Sequence, residues 1–179
     1  MITVVIPCKN ENYGLVKTIN TIPKNIPIIV ADSSTDNTLE LLPNSIKITS
    51  GGLPAVARNN GAKLVTTPYI LFLDADMDIS KVPLDKIIND VASNDYHLVT
   101  IKILVHGKNR IFYELFYFLQ KLISFNTPFA VGGFMLFNTD KFNELGSFNT
   151  NDKFAEDYHL SMKVSPKKFK IYNYPAFTS

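Results

Sequence analysis

Apolar and polar positions alternate in blocks from the first residues onward. Ile2–Ile6 is a short β-branched run closed by Pro7, a pattern that predicts a buried strand. Residues 11–22 predict a helix ended by Pro23. Ile26–Ala31 predicts a second strand, with Pro27 tolerated only at its start. Ser33, Ser34, Thr35 and Asp36 offer caps to a helix running to about Leu42. Residues 45–49 predict a third strand, Gly51-Gly52 a turn, and residues 54–65 a helix. Tyr69–Leu73 is a wholly apolar run that predicts a buried strand, and it ends at Asp74-Ala75-Asp76. Strand and helix thus alternate over residues 1–78, which implies an α/β fold with a mixed, mostly parallel central sheet and helices on both faces.

The later pattern is less regular. Ser80 is the expected cap of a helix with Pro83 in its first turn and Leu84, Ile87, Ile88 and Val91 facing inward. Residues 97–105 predict a strand, 109–125 an unusually apolar helix, and 129–137 a strand interrupted by Gly132-Gly133. A short helix over 140–145, a helix over 155–164 and a last strand over 170–174 complete the pattern. Repeats, low-complexity tracts and linkers are absent, so the 179 residues are expected to form one domain.

Composition narrows the function classes. A formal net charge of +2 gives no nucleic-acid signature. Cys8 is the only cysteine, which excludes an intrachain disulfide and a cysteine-only metal site and fits a reducing compartment. Nothing near it in sequence activates a nucleophile, so a packed thiol is expected. Met1 leads straight into a strand, and no uncharged apolar run approaches the roughly 18 residues of a membrane span. The expected location is cytoplasmic, with the cytoplasmic membrane face as a variant of it.

Three polar clusters follow predicted strands: Pro7-Cys8-Lys9-Asn10-Glu11, Asp32–Asp36, and Asp74-Ala75-Asp76. In a parallel sheet such strand ends share one edge, where α/β proteins bind ligands. Two carboxylates two residues apart repel each other unless a cation stands beside them. Mg²⁺ or Mn²⁺, held by one or two carboxylates plus substrate phosphates, meets that need, whereas a polar strand exit is the plainer alternative. Asp32 comes too early for simple helix capping. Arg58 either pairs with a diphosphate or carboxylate through its planar fork or is a solvated surface cation. No GxGxxG is present.

Taken in order, Pro7-x-x-Asn10-Glu11, Asp32-Ser-Ser-Thr35-Asp36-x-Thr38, Ala57-Arg58-Asn59-x-Gly61, Asp74-Ala75-Asp76, Gly132-Gly133, Phe142-x-x-Leu-Gly146-x-Phe148 and Glu156-Asp157-Tyr-x-Leu160 resemble the family 2 glycosyltransferases along essentially the whole chain. The resemblance implies a GT-A fold, with residues 1–78 as the nucleotide-sugar half and 79–179 as the acceptor half. It implies that Pro7 and Glu11 line the base pocket, that Asp32 binds the base edge, often uracil, and that Asn10 and Ala75 belong to the same site. Arg58 would lie near the base or diphosphate. Asp74 would contact the ribose or the metal's water shell, and Asp76 would ligate Mn²⁺ or Mg²⁺. Asp157 would be the general base, with Glu156 positioning the acceptor. The implied activity is inverting transfer from a nucleoside-diphosphate sugar, a UDP-sugar first, to a glycan or polyprenyl-linked acceptor. A nucleotidyltransferase is disfavoured by the lack of an early basic glycine-rich loop, and a catalytically weak sugar-nucleotide or glycan binder is the remaining alternative.

Three departures stand out. Ala31-Asp32-Ser33 replaces the family's more frequent Asp-Asp-Gly, so Ser33 is expected to narrow the base or ribose contacts. His159 stands where many relatives carry an acid and is expected to face solvent or acceptor. The sequence stops at Thr178-Ser179, where many relatives continue into basic residues that cover the diphosphate.

The helix over 111–125 gathers Tyr113, Glu114, Tyr117, Gln120, Lys121 and Ser124 on one narrow side; all its other residues are apolar. Three settings suit it: the core, a second copy in a homodimer, or the interface of a bilayer. The width of the arc predicts that Phe112, Leu115, Phe116, Leu119 or Ile123 stays partly exposed in a monomer.

Overall fold

The computed structural model describes residues 1–152 and 154–178. Strand β1 (Ile2–Cys8) is buried along its length except at Pro7. It pairs in parallel with β2 (Ile28–Asp32) on one side and β4 (Tyr69–Leu73) on the other, while β2 pairs in parallel with β3 (Lys47–Ser50). Side chains of a strand point alternately to the two faces, so both faces of these apolar runs need cover. Val4, Ile6, Leu71 and Leu73 pack with Leu15 of α1 (Tyr13–Asn20) and with Leu84, Ile87 and Val91 of α3 (Leu84–Asn94). Val5, Ile70 and Phe72 join the other cluster, with Ala55 of α2 (Pro54–Ala62). Gly61 lets α2 approach this closely, because a Cβ there would lie 2.3 Å from Val5 Cγ1.

The second half of the sheet reverses direction. Strand β7 (Phe134–Asn138) runs antiparallel to β4 and to β6 (Leu98–Val105), and β6 runs parallel to β8 (Phe169–Thr178). The final pair is β8 with the two-residue β5 (Met77–Asp78), antiparallel. The order is β3-β2-β1-β4-β7-β6-β8-β5, with four of the seven pairings parallel, so the expected mixed, mostly parallel α/β sheet is observed. Helices α5 (Thr139–Glu144) and α6 (Glu156–Ser161) cover the same face as α2, where Phe72, Phe137, Phe142 and Phe148 form an aromatic cluster of edge-to-face and tilted pairs.

Several local expectations are corrected. The segment after Asp36 is a five-residue 3-10 helix, Asn37–Leu41, rather than an α-helix, since Pro43 follows too soon for a second turn. Asp36 does cap it, accepting the Thr38 N–H at 3.0 Å. Ser80 does not cap α3: its N–H is held by Asp78 in a turn, and Pro83 occupies the N-cap position. Residues 129–133 are not strand. The last strand runs to Thr178 rather than Tyr174, because a register shift between Ile101 and Lys102 of β6 accommodates Pro175, which has no N–H to give. Of the sequence's closing pair, Ser179 lies outside the described residues.

Helix α4 (Arg110–Ser124) packs against β6 with its polar side inward. Gln120 and Ser124 are buried, and all five apolar residues expected to show partial exposure do so, from 41% at Phe116 to 68% at Phe112. The expectation of an outward apolar face therefore holds, and core packing of that face is set aside.

Candidate active site

The three polar clusters meet because the sheet register aligns their strands: Cys8 stands beside Asp32, and Val5 beside Phe72, two residues before Asp74. After β1 the chain turns through Asn10 and Asn12, both at positive φ (58° and 45°), a region asparagine enters more readily than most residues. The Asn10 side chain accepts the Thr35 N–H at 2.8 Å, and its own N–H donates to Ser34 Oγ at 2.7 Å. Asp32 accepts from the Ser34 N–H (3.0 Å) and from Ser34 Oγ (2.6 Å). Asn10 and Asp32 thus stitch the first two loops together. Beneath them Cys8 is buried, and burial pushes its thiol up to about 12, as suits a packing residue.

A cleft of about 660 Å³ opens above these loops. Pro7, Glu11, Arg58, Asp74, Ala75 and Asp76 line it, so six of the nucleotide-site residues read from the sequence converge. Asn10 and Asp32 do not line it, although Ser33, beside Asp32, does. Lys9, part of the first polar cluster, also lines the cleft, as do Gly52, Leu53 and Pro54, whose only signal in the sequence is position between a strand and a helix.

Ala75 is buried, and its carbonyl accepts from Thr18 Oγ1 of α1 at 2.6 Å, which fixes the turn carrying both carboxylates. Asp76 accepts from Thr178 Oγ1 at 2.6 Å. Asp74 accepts from Arg58 Nη2 at 2.8 Å. Oδ2 of Asp74 and Oδ1 of Asp76 have no hydrogen-bond partner among the described residues. Glu11 faces the same spot: burial, then the charges of Asp76 and Asp74, raise its pKa above 4.5. Such an excess of negative charge suits a divalent cation. Among the described residues no three potential ligands gather closely enough to hold a metal alone, so Mn²⁺ or Mg²⁺ would need ligand phosphates as well. The donor set fits that kind of site.

Arg58 is not a solvated surface cation. It is 4% exposed, its guanidinium lies 5.5 Å from the centre of the Phe148 ring, and it bonds Asp74 on one arm and Glu156 on the other. Burial works against its charge, but the two carboxylates outweigh it and keep the group protonated. Gly132 makes room for the pair of bonds, since a Cβ there would lie 2.4 Å from Arg58 Nη2.

Asp157 lies beside this ion-pair chain. Ala155 adopts a left-handed φ of 57° at the N-cap of α6 and turns the acidic pair toward Gly132. Asp157 Oδ2 accepts the Gly132 N–H at 2.6 Å, and Oδ1 accepts its neighbour Tyr158's N–H at 2.7 Å. Burial raises its pKa above 3.8; the two backbone bonds oppose the rise, and the Glu156 charge adds to it. Nothing in the sequence marked the Gly132 contact except the glycine itself. His159 is exposed and contacts Asp152 at 2.8 Å, away from the cleft lining.

Residues 3–146 match the sequence profile described as Glycosyl transferase family 2. The chain belongs to that family. A protein of Haemophilus influenzae described as an uncharacterized glycosyltransferase is 34% identical over 122 residues, which cover 60% of this chain and 46% of that relative. Among solved structures, S. aureus TarS aligns over 99% of this chain with a TM-score of 0.76 at 19% identity, and over 36% of its own length. TarS 1-349 in complex with UDP-GlcNAc gives 0.73 over 99% of this chain and 58% of its own. The mannosyltransferase PcManGT from Pyrobaculum calidifontis, in complex with GDP-Man and Mn²⁺, gives 0.69 at 22% identity, over 97% of this chain and 54% of its own. At the identities of the solved structures the likeness is one of fold, and the chain spans less than half of the Haemophilus relative and under two thirds of these solved chains.

Two outcomes follow from the charges. Replacing Arg58 by Met strands Asp74 and Glu156 in a partly buried site and is expected to cost about 3–5 kcal/mol, read from urea unfolding. Glu11 holds its proton to higher pH in the folded chain than in the unfolded one. Stability therefore falls as pH rises from 4.5 through the raised value. In metal-free buffer Glu11→Gln is expected to melt higher than wild type near pH ~7 and level with it near pH ~3.

Proposed function

We propose that this chain is the catalytic domain of a metal-dependent, inverting glycosyltransferase of GT-A type. The observation that carries the reading is the continuous chain Asp74–Arg58–Glu156, which ties the acidic end of β4 to the acidic pair of α6. Residues 1–78 supply the nucleotide-sugar half and residues 79–179 the acceptor half. The donor is a nucleoside-diphosphate sugar. The family match supports this, as do the UDP-GlcNAc bound in TarS and the GDP-Man bound in PcManGT. A UDP-sugar is the favoured member, with Pro7, Asn10, Glu11, Asp32 and Ala75 shaping the base and ribose end.

Asp76, whose other oxygen is held by Thr178, would hold Mn²⁺ or Mg²⁺, and Asp74, held by Arg58 on one oxygen, would meet the ribose or the metal's water. The cation, when bound, offsets the negative charge that develops on the departing diphosphate. Arg58 serves the site by fixing Asp74 rather than by reaching the diphosphate, since both its arms are occupied. Asp157 takes the proton of the acceptor hydroxyl. Its raised pKa makes it a stronger base than an ordinary aspartate, and its two backbone bonds fix the carboxylate plane. Glu156, paired with Arg58, is the less available of the two acids and positions the site. The acceptor is a glycan or polyprenyl-linked glycan, and the setting is the cytoplasm or its membrane face. No helix among the described residues is long and apolar enough to cross a membrane.

Calorimetric titration with UDP is expected to show binding that strengthens with Mn²⁺, and Asp76→Asn is expected to lose about tenfold or more of that metal-linked gain. Undiminished Mn²⁺-linked binding in the variant would remove Asp76 from the metal role. Asp157→Asn is expected to bind the UDP-sugar normally and to transfer about 10²–10⁴-fold more slowly, measured as UDP release with acceptor sugar present. In wild type the rate should climb with pH as Asp157 ionises, with a midpoint above 3.8. Loss of transfer in Glu156→Gln, with Asp157→Asn active, would shift the base to Glu156.

A further inference from the structure

We infer that the outward face of α4 docks the protein onto an anionic phospholipid surface. The helix is inverted relative to an ordinary amphipathic surface helix. Three of its polar side chains are spent on the protein: Gln120 Nε2 donates to the Phe129 carbonyl at 2.8 Å, Ser124 Oγ accepts the Phe129 N–H at 3.2 Å, and Glu114 pairs with Lys102. The apolar residues face out, with Phe112, Leu115, Phe118 and Leu122 each more than half exposed. With Ile111 and Phe125, 70% and 81% exposed, they make a wide apolar face, the kind of surface that marks an interaction site.

Charge decides the occupant. The only acid of α4 is Glu114, and Lys102 and Arg110 both engage it. Lys108 and Arg110 stand at the start of the helix. Lys121 stands near its end and shares a surface hollow with Phe125, Lys167 and Lys170, of which Lys170 is paired with Asp90 at 2.7 Å. Both ends of the apolar face are therefore basic. In a two-fold pairing through this face, parallel or antiparallel, a basic end would meet a basic end, so a second copy is disfavoured. An anionic bilayer supplies the opposite sign at both ends and apolar depth between them. At 15 residues the helix is about 22 Å long, too short for the roughly 30 Å hydrocarbon core, so it would lie in the interface plane. On the function proposed above, the docked face is also joined to the reacting acid by a run of aromatic contacts. Phe116 contacts Phe129 (5.8 Å between ring centres), and Phe129 contacts Tyr158 (5.0 Å), the neighbour of Asp157.

Sedimentation with phosphatidylcholine vesicles containing about 30 mol% phosphatidylglycerol tests this directly. Wild type is expected to pellet with them, and to stay largely in solution with pure phosphatidylcholine or when salt is raised from about 0.1 to 0.5 M. Leu115→Glu/Leu122→Glu is expected to bind at least about tenfold more weakly with an unchanged melting curve. If that variant melts lower, Lys121→Gln/Lys167→Gln replaces it, with the same expected loss on the anionic vesicles. Wild type that ignores the vesicles, variants that bind as well as wild type, or a vesicle-free dimer that Leu115→Glu/Leu122→Glu makes monomeric would each overturn the inference. The last result would assign the face to a second copy.

Discussion

A single buried guanidinium organises this molecule's chemistry. Arg58 is held under Phe148 on α2, yet it bonds a carboxylate at the end of β4 and another at the start of α6. Two acids that would otherwise repel are thereby fixed about one cation, and three separate elements share one centre. Burying such an arginine is costly unless both arms are used, so the geometry is narrowly defined. The absence of a side chain at Gly132 follows from the same constraint, and the Gly132 N–H then supplies a bond that sets Asp157. The site is thus specified from its charged interior outward.

The sheet supplies the second condition. Parallel register among β1, β2 and β4 delivers three loops to one edge, and the antiparallel β7 brings the Gly132-Gly133 turn up beside them. The Asp74 N–H bonds the Gly133 carbonyl at 3.4 Å across that junction. Asp76 depends on a more distant element. Strand β8 passes Pro175 through a register shift and places Thr178 against the carboxylate, at 102 residues' separation.

What was legible in the sequence is what is local. Runs such as Tyr69–Leu73 declare a buried strand by composition alone, and polar residues directly after them declare a sheet edge. The outward face of α4 was legible for a similar reason, since its apolar arc is wider than a small sheet can cover. Long-range partners were not legible. Arg58 read equally well as a surface cation, because the residue that buries it, Phe148, and the acid that neutralises it, Glu156, lie 90 and 98 positions further on. The N-cap of α3 was misread because Ser80 looks like a capping residue until Asp78 is seen to claim its N–H. Strand β8 was cut short because proline normally ends a strand, and only the partner's irregularity shows why it does not.

Helix α4 grips a single residue from both sides, taking the carbonyl of Phe129 with Gln120 and its N–H with Ser124. Phe129 is three positions from the peptide that orients Asp157. The distance along the chain from the residue that the helix holds to the carboxylate's backbone donor is therefore short: one hydrogen-bonded residue and three peptide units.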